Sequence, residues 1–265
     1  MKPATVRQLV VCSDDAGWDE DNDGVIASLA QSGRISAVSV LVDGPHAPAW
    51  AQELAPPAGC ALGLHLNLTW EPGQPSRGLA QLIGRCHARL LSPAWAETRI
   101  AAQLQRFEAV YGRPPDFVDG HQHVHMLPVI RERLLALLGQ RYGAGQRPAV
   151  RAPLSRHWRG AKAWLLNRLG AAALAAGLQA EGWPCNSDFA GVYDFGTGLS
   201  YRSRVQAWLG SIDDAGLLMT HPGSLGPLEH AAARAAEADY LASAQWPADL
   251  RAAGAQLMPF RPAAL

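Results

Sequence analysis

The chain has 265 residues, 48% of them apolar, enough for one large domain with a full core. Its 23 basic and 23 acidic side chains cancel, and without a long basic block they argue against nucleic-acid binding over an extended charged surface. No apolar run approaches the roughly eighteen residues of a membrane span, and the first residues lead into a strand-like segment instead of a signal core, which predicts a cytoplasmic protein. Cys12, Cys60, Cys86 and Cys185 are widely separated, lack CxxC spacing and read as reduced core thiols.

The first predicted strand, residues 9–12, ends in Ser13-Asp14-Asp15-Ala16-Gly17. Two adjacent carboxylates at the carboxyl end of a buried strand sit where α/β folds build active sites, and they call for a nearby positive charge such as a divalent cation. Apolar spacing at Val25, Ile26, Leu29 and Ala30 predicts a helix over 23–32, followed by a strand over 35–42 and a helix over 46–54. A third strand, 61–68, carries His65. Residues 70–84 are rich in glycine and proline and predict a long connection, either over a cleft or packed on the surface.

A helix is predicted over 93–111, stopped by Gly112-Arg113-Pro114-Pro115, and a short strand over 117–119 precedes His121, His123 and His125. In a regular strand those three histidines would share a face, with Pro128 bending the chain before His125 and opening a helix through Leu138. Later predicted elements are a strand at 150–153, a helix over 158–178 weakened by Gly170, strands at 189–195 and 217–221, a helix over 229–244 and a last strand at 257–260. Strands alternating with helices, with polar residues after several of the strands, favour a barrel-like α/β fold over an open sheet; no GxGxxG or GxxxxGK[ST] loop is present.

Asp15 suits either a helix cap or a metal ligand, and His65 either a structural or a ligating role. One Asp with two His would leave coordination positions open for Lewis-acid hydrolysis of an amide, with Asp14 taking a proton from water and His221, or another histidine of the cluster, protonating the leaving amine. Arg151 could pair with Asp14 and tune it, or form an ordinary structural ion pair. Trp18 and Trp70 could stack on the apolar face of a sugar or simply pack.

Four stretches, Ser13-Asp14-Asp15-Ala16-Gly17, Gly63-Leu64-His65-Leu66-Asn67-Leu68, Asp119-Gly120-His121-Gln122-His123-Val124-His125 and Thr220-His221-Pro222-Gly223, together resemble the YdjC-like family of carbohydrate deacetylases, including chitooligosaccharide and hopanoid-associated members. The resemblance implies a distorted TIM-like barrel, a single domain over residues 1–265, that hydrolyses the N-acetyl group of a sugar, oligosaccharide or glycolipid. It implies one divalent metal, magnesium or zinc before nickel or cobalt, held by Asp15, His65 and His121. Asp14 is then the base and His221 the preferred acid, with His123 and His125 in support, and a homodimer is the default assembly. The alternatives are hydrolysis of another amide or ester and a metal-containing carbohydrate-binding protein. Ala16 stands where the family commonly has an aromatic residue, Gln122 where it often has a histidine, and the acidic loop after Gly17 is one residue shorter.

Overall fold

The computed structural model describes residues 6–53, 56–57, 59–70, 78–196, 198–226 and 229–261. Its frame is a parallel sheet of β1 (Arg7–Ala16), β2 (Ala37–Val40), β3 (Ala61–Leu66), β4 (Phe117–Gly120), β5 (Ala149–Val150), β6 (Phe189–Ala190), β7 (Gly216–Thr220) and β8 (Ala255–Leu257). The strand order is β5-β4-β3-β2-β1-β7-β6, and β8 pairs with the first residues of β1. β8 follows the edge of β1 that β2 takes over further along, since Leu9 accepts from the Met258 amide and Val11 from the Ser36 amide.

The sheet curls, which bears out the expected α/β class as a curled parallel half-barrel; among the described residues its ladder does not close as that of a regular TIM barrel does. Among the described residues β5 and β6 do not pair. The seam between them is spanned instead by the Val150 amide donating to the Pro184 carbonyl at 2.8 Å and by the Asn186 side chain, which accepts from the Ala152 amide and donates to its carbonyl, each at 2.8 Å. A side-chain amide thus replaces the missing rungs and satisfies backbone groups that burial would otherwise leave unpaired.

Strand alternation divides the core into two faces. Leu9 and Val11 of β1 join Val38, Leu62, Leu64 and Val118 against the helices. Val10 and Cys12 point the other way and pack with Ala37, Ala61, Phe117 and Phe189 inside the curl. Small side chains on β2, β3 and β5 leave room there for Phe260, whose ring lies 5.0 Å from Phe117.

Outside the sheet lie α1 (Glu20–Gln31), α2 (Ala47–Glu53), α3 (Leu79–His87), α4 (Pro93–Tyr111), α5 (Ile130–Arg141), α6 (Ala161–Leu166), α7 (Ala172–Ala180), α8 (Tyr201–Leu209), α9 (Ala231–Ala242) and α10 (Gln245–Ala252). α4 matches its predicted bounds because every signal agrees. Ser92 caps the Trp95 amide, Pro93 opens the helix, Ala96, Ile100, Leu104 and Phe107 are buried, and Gly112 ends it at φ +66°. The buried Gln103 of α4 exchanges two hydrogen bonds with the Asn67 backbone, fixing the chain just beyond His65.

Four stretches depart from expectation. α3 takes up the end of the predicted long connection, whose residues 71–77 lie outside those described. α8 and α10 are short and interleave charged and polar residues with their apolar ones, which hid their apolar sides, although Ser200 caps α8 as a serine should. The predicted 158–178 helix breaks into α6, a π turn and α7 at Gly170, whose φ of +152° and 2.5 Å clearance between a built Cβ and the Met126 carbonyl require glycine. Among the described residues no helix is long and apolar enough to cross a membrane, and the four cysteines are free, Cys185 being exposed instead of in the core.

The turn after β1 is pinned by Asp23, which accepts the Gly17 amide at 2.8 Å. Burial pushes the Asp23 carboxyl up to about 7, opposed in part by that amide. A carboxyl raised on folding favours the folded state below its unfolded pKa and forfeits that contribution as pH rises through its folded value. Asp23→Asn keeps an acceptor for Gly17 but cannot ionise. Denaturant titrations should therefore show the variant gaining on the wild type by about 2 kcal/mol between pH 5 and pH 8; a difference independent of pH would contradict this role.

Candidate metal centre

The site begins with an irregularity in β1. Ser13 pairs with Val38 and Ala16 with Val40, so three steps on β1 face two on β2, a bulge of one residue. Asp15, at φ +66°, absorbs the extra residue in a left-handed conformation that aspartate tolerates better than most side chains. Neighbouring strand residues normally point to opposite faces, but the bulge lets both Asp14 and Asp15 reach the carboxyl-end mouth of the sheet. Asp15 is not a helix cap, since Asp19 caps α1 by accepting the Asn22 amide.

Asp15, His65 and His121 offer ligand atoms that all lie within 4.8 Å of one another. Asp15 Oδ1 is 2.9 Å from His121 Nδ1 and 3.4 Å from His65 Nε2. His65 Nδ1 lies 2.7 Å from Asp119 Oδ1 and 3.0 Å from Ser39 Oγ, while the Ser39 hydroxyl donates to the same Asp119 oxygen at 2.5 Å. With Asp119 as acceptor the Nδ1 proton is fixed and Nε2 turns toward Asp15, the arrangement that orients a metal-binding imidazole. Two imidazole nitrogens and one carboxylate oxygen on one side of an accessible mouth fit a divalent ion with positions left for water and substrate. Burial alone would lower the His65 imidazole, but the charges of Asp119 and Asp14 raise it to about 10, a measure of how strongly this spot favours a cation.

The histidine cluster does not continue the strand. β4 ends at Gly120 and residues 121–126 form a tight turn in which Gln122 and His123 are left-handed, so the bend comes before His123, upstream of the position predicted from Pro128. The turn separates three residues that strand geometry would have aligned. His121 faces Asp15, His123 is packed edge-on to Phe189, and His125 Nε2 donates to the Arg151 carbonyl at 2.9 Å. Burial holds His125 down to about 4 and His123 well below the usual histidine range, so both are neutral, and His125 serves to fix the end of β5.

Arg151 is fully buried and joins the two halves of the site. Its guanidinium grips Asp14 through both oxygens at 2.6 and 2.7 Å and reaches Asp119 Oδ2 at 2.5 Å and Cys12 Sγ at 3.0 Å. Burial would raise the Asp14 carboxyl, but Arg151, with His65 and His221, holds it well below the ordinary carboxylate range. Asp15 is likewise held low against its burial by His121, His65 and Arg234. Cys12, Asp14 and Asp119 also converge, but Arg151 already supplies the positive charge among them. A third convergence, His157, Asp188 and Asp213, has Asp188 occupied by Arg159 and by backbone amides.

His221 follows β7. Burial lowers its imidazole to about 4 against the pull of Asp15 and Asp14, and its backbone amide donates to Glu237 Oε2 at 2.6 Å. Glu237, on α9 and fully buried, also accepts the Tyr193 hydroxyl at 2.6 Å, and Arg234, three residues earlier, donates to Asp15 Oδ2 at 2.7 Å. Neither was legible in the alanine-rich sequence of α9. Ser39 was also missed, although a polar residue in the apolar Ala37-Val38-Ser39-Val40 strand was a usable signal. Trp18 stacks near His121, with ring centroids 5.9 Å apart, and its ring also lies 5.1 Å from Trp70 at a tilt of 46°.

The sequence profile of the YdjC-like protein family matches residues 8–252, a span that contains all of these groups. The chain belongs to the YdjC-like family. Among relatives of this YdjC-like chain, a mouse (Mus musculus) carbohydrate deacetylase is 35% identical over 151 residues, 51% of this chain and 48% of the relative. A chitooligosaccharide deacetylase of Serratia marcescens is 30% identical over 138 residues, 47% and 53% of the two chains. The YdjC-like chain thus spans about half the length of these curated relatives in the matched region. A crystallised Enterococcus faecalis protein described as a candidate cellobiose-phosphate cleavage protein superposes with a TM-score of 0.71 at 16% identity, covering 96% of this chain and 97% of that one, and shows the same fold. A peptidoglycan N-acetylglucosamine deacetylase superposes at 0.52 and 14% identity, covering 95% and 85%.

Removing Arg151 would leave Asp14 and Asp119 buried without their shared counter-charge. Arg151→Met should therefore lose about 3–5 kcal/mol of unfolding free energy in denaturant titrations at neutral pH, and recover part of that loss at acid pH where the carboxyls protonate. A loss below about 1 kcal/mol would show that the ion pair is not what holds these strands together.

Proposed function

We propose that the chain is a divalent-metal-dependent hydrolase that removes the acetyl group from an N-acetylated sugar, oligosaccharide or glycolipid, giving acetate and an amino sugar. The observation that carries this reading is the convergence of Asp15 Oδ1, His65 Nε2 and His121 Nδ1 beside a second carboxylate, Asp14, which Arg151 holds ionised at rest, in a chain of the YdjC-like family. The sugar class comes from the names of the relatives.

In this reading Asp15, His65 and His121 hold the ion. Their donor set suits zinc, nickel or cobalt by imidazole preference, and magnesium where the carboxylate and water dominate. When bound, the ion would polarise the amide carbonyl and lower the pKa of an attacking water. Asp14, aimed by both arms of Arg151, accepts the proton of that water as its oxygen bonds to the acetyl carbon. The carbon–nitrogen bond then breaks, and the amine leaves with a proton from His221. The resting His221 imidazole is neutral; negative charge developing beside it in the reaction raises its proton affinity, so it takes up a proton from solvent and hands it to the amine, and Asp14 afterwards releases the water's proton to solvent. Trp18 and Trp70 offer an aromatic wall against which a sugar ring can lie.

The test is acetate release by metal-reconstituted protein from N-acetylglucosamine oligosaccharides and from an N-acetylglucosaminyl lipid. Release should stop on chelation and return with the metal. Asp14→Asn should keep stoichiometric metal and lose turnover by about 100-fold or more, whereas Asp15→Asn, His65→Ala and His121→Ala should lose metal. Stoichiometric metal without acetate from either substrate class would sink the proposal.

A separate prediction concerns the aromatic wall. Trp70→Ala should raise KM for the preferred saccharide about tenfold while changing kcat little. An unchanged KM, measured by steady-state acetate release, would return Trp70 to a packing role.

A further inference from the structure

α9 sends two ionisable side chains into the site, one turn apart, and they grip different parts of it. Glu237 holds the backbone amide of His221. Arg234 holds Asp15 Oδ2 at 2.7 Å, while its own carbonyl accepts the Gly223 amide at 3.1 Å. One residue therefore touches both the carboxylate on β1 and the turn that carries His221.

Neighbouring contacts leave that turn little slack. The Ser224 amide donates to Asn22 Oδ1 at 2.7 Å, and a Cβ built on Gly223 would lie 2.2 Å from that oxygen and 3.3 Å from Arg234 Cβ. Arg234 is itself only 13% exposed, so its head group is held by packing as well as by charge.

The division of Asp15 is the informative feature. Oδ1 faces His121 and His65, whereas Oδ2 is taken by the guanidinium. A free carboxylate can bind a cation through one oxygen or both. A fixed positive charge this close to a cation site repels the ion it flanks, so charge balance alone would work against metal uptake. Its useful effect is geometric: one oxygen is withheld from the ion and the other is aimed.

Resting on the metal centre proposed above, we infer that Arg234 is a positioning residue that confines Asp15 to single-oxygen coordination and ties that ligand to the His221 turn. Lysine can supply the charge and one donor from a similar reach, though without the rigid planar fork. Methionine preserves most of the packing and removes both charge and donor.

The experiment uses the full chain loaded with cobalt(II), with wild type, Arg234→Met and Arg234→Lys compared by visible absorption, calorimetric metal affinity and steady-state acetate release. In Arg234→Met the freed Oδ2 joins the ion, so the coordination number rises, the cobalt absorption weakens and metal affinity changes by about 10- to 100-fold. kcat should fall by a similar factor with KM within about twofold, and Arg234→Lys should restore most of the wild-type spectrum. If Arg234→Met keeps the wild-type spectrum and affinity, the inference is overturned while the metal centre stands. If the wild type takes up no cobalt, or His65→Ala and His121→Ala take it up unchanged, the metal centre fails and this inference falls with it. Thermal melts of each variant separate a loss of fold from a change of site, and should Arg234→Met not fold, a Lys variant with wild-type stability but a weakened spectrum would equally overturn the inference.

Discussion

A guanidinium buried between two carboxylates is the constraint on which the site depends. Arg151 sits at the end of β5, Asp14 on β1 and Asp119 on β4, and the three are drawn together across the inside of the curled sheet. Isolated burial of any one of these charges would cost several kcal/mol, so each is tolerable only in the company of the others. From Asp119 the chain of contacts continues through His65 to Asp15, and from there to His121 and Arg234. Strands β1, β3, β4 and β5 thus converge on one polar path while their other side chains form an apolar core. The same pairing that secures the fold keeps Asp14 ionised and aimed.

The backbone meets this demand with local irregularities instead of regular strand ends. The bulge in β1 turns two consecutive acids toward one mouth, and the left-handed turn after β4 parts His121 from His123 and His125. Residues forced into such conformations carry about 1 kcal/mol or more of strain each. They persist here because the surrounding contacts over-determine them: the Gly17 amide on Asp23, the Leu41 amide on the Ala16 carbonyl, and the His125 ring on the Arg151 carbonyl.

These irregularities mark the limit of what the sequence discloses. The strands were legible because Val10-Val11 or Leu217-Leu218 are apolar runs between turn signals, and α4 because cap, proline, apolar face and terminal glycine agree. Asp14, Asp15, His65, His121 and His221 stood out because polar residues of ligating type followed such runs. The period-two rule, however, aligned the three clustered histidines and would have split the two acids between faces; a bulge and a left-handed turn leave little trace in composition. Arg234 and Glu237 were hidden for a different reason. A charge on an alanine-rich helix reads as solvated until tertiary packing shows which way it points, and the substitution of Asn186 for strand pairing at the β5–β6 seam is likewise a tertiary event.

The claim on which everything else turns is that one ion sits among Asp15, His65 and His121. Anomalous diffraction at the zinc edge, from crystals grown with one equivalent of zinc, locates that ion without reference to any substrate. The account predicts a single strong peak bonded to Asp15 Oδ1, His65 Nε2 and His121 Nδ1, with Asp14 still held by Arg151. A peak at His157, Asp188 and Asp213 instead, or no peak at the mouth of the sheet, would contradict it.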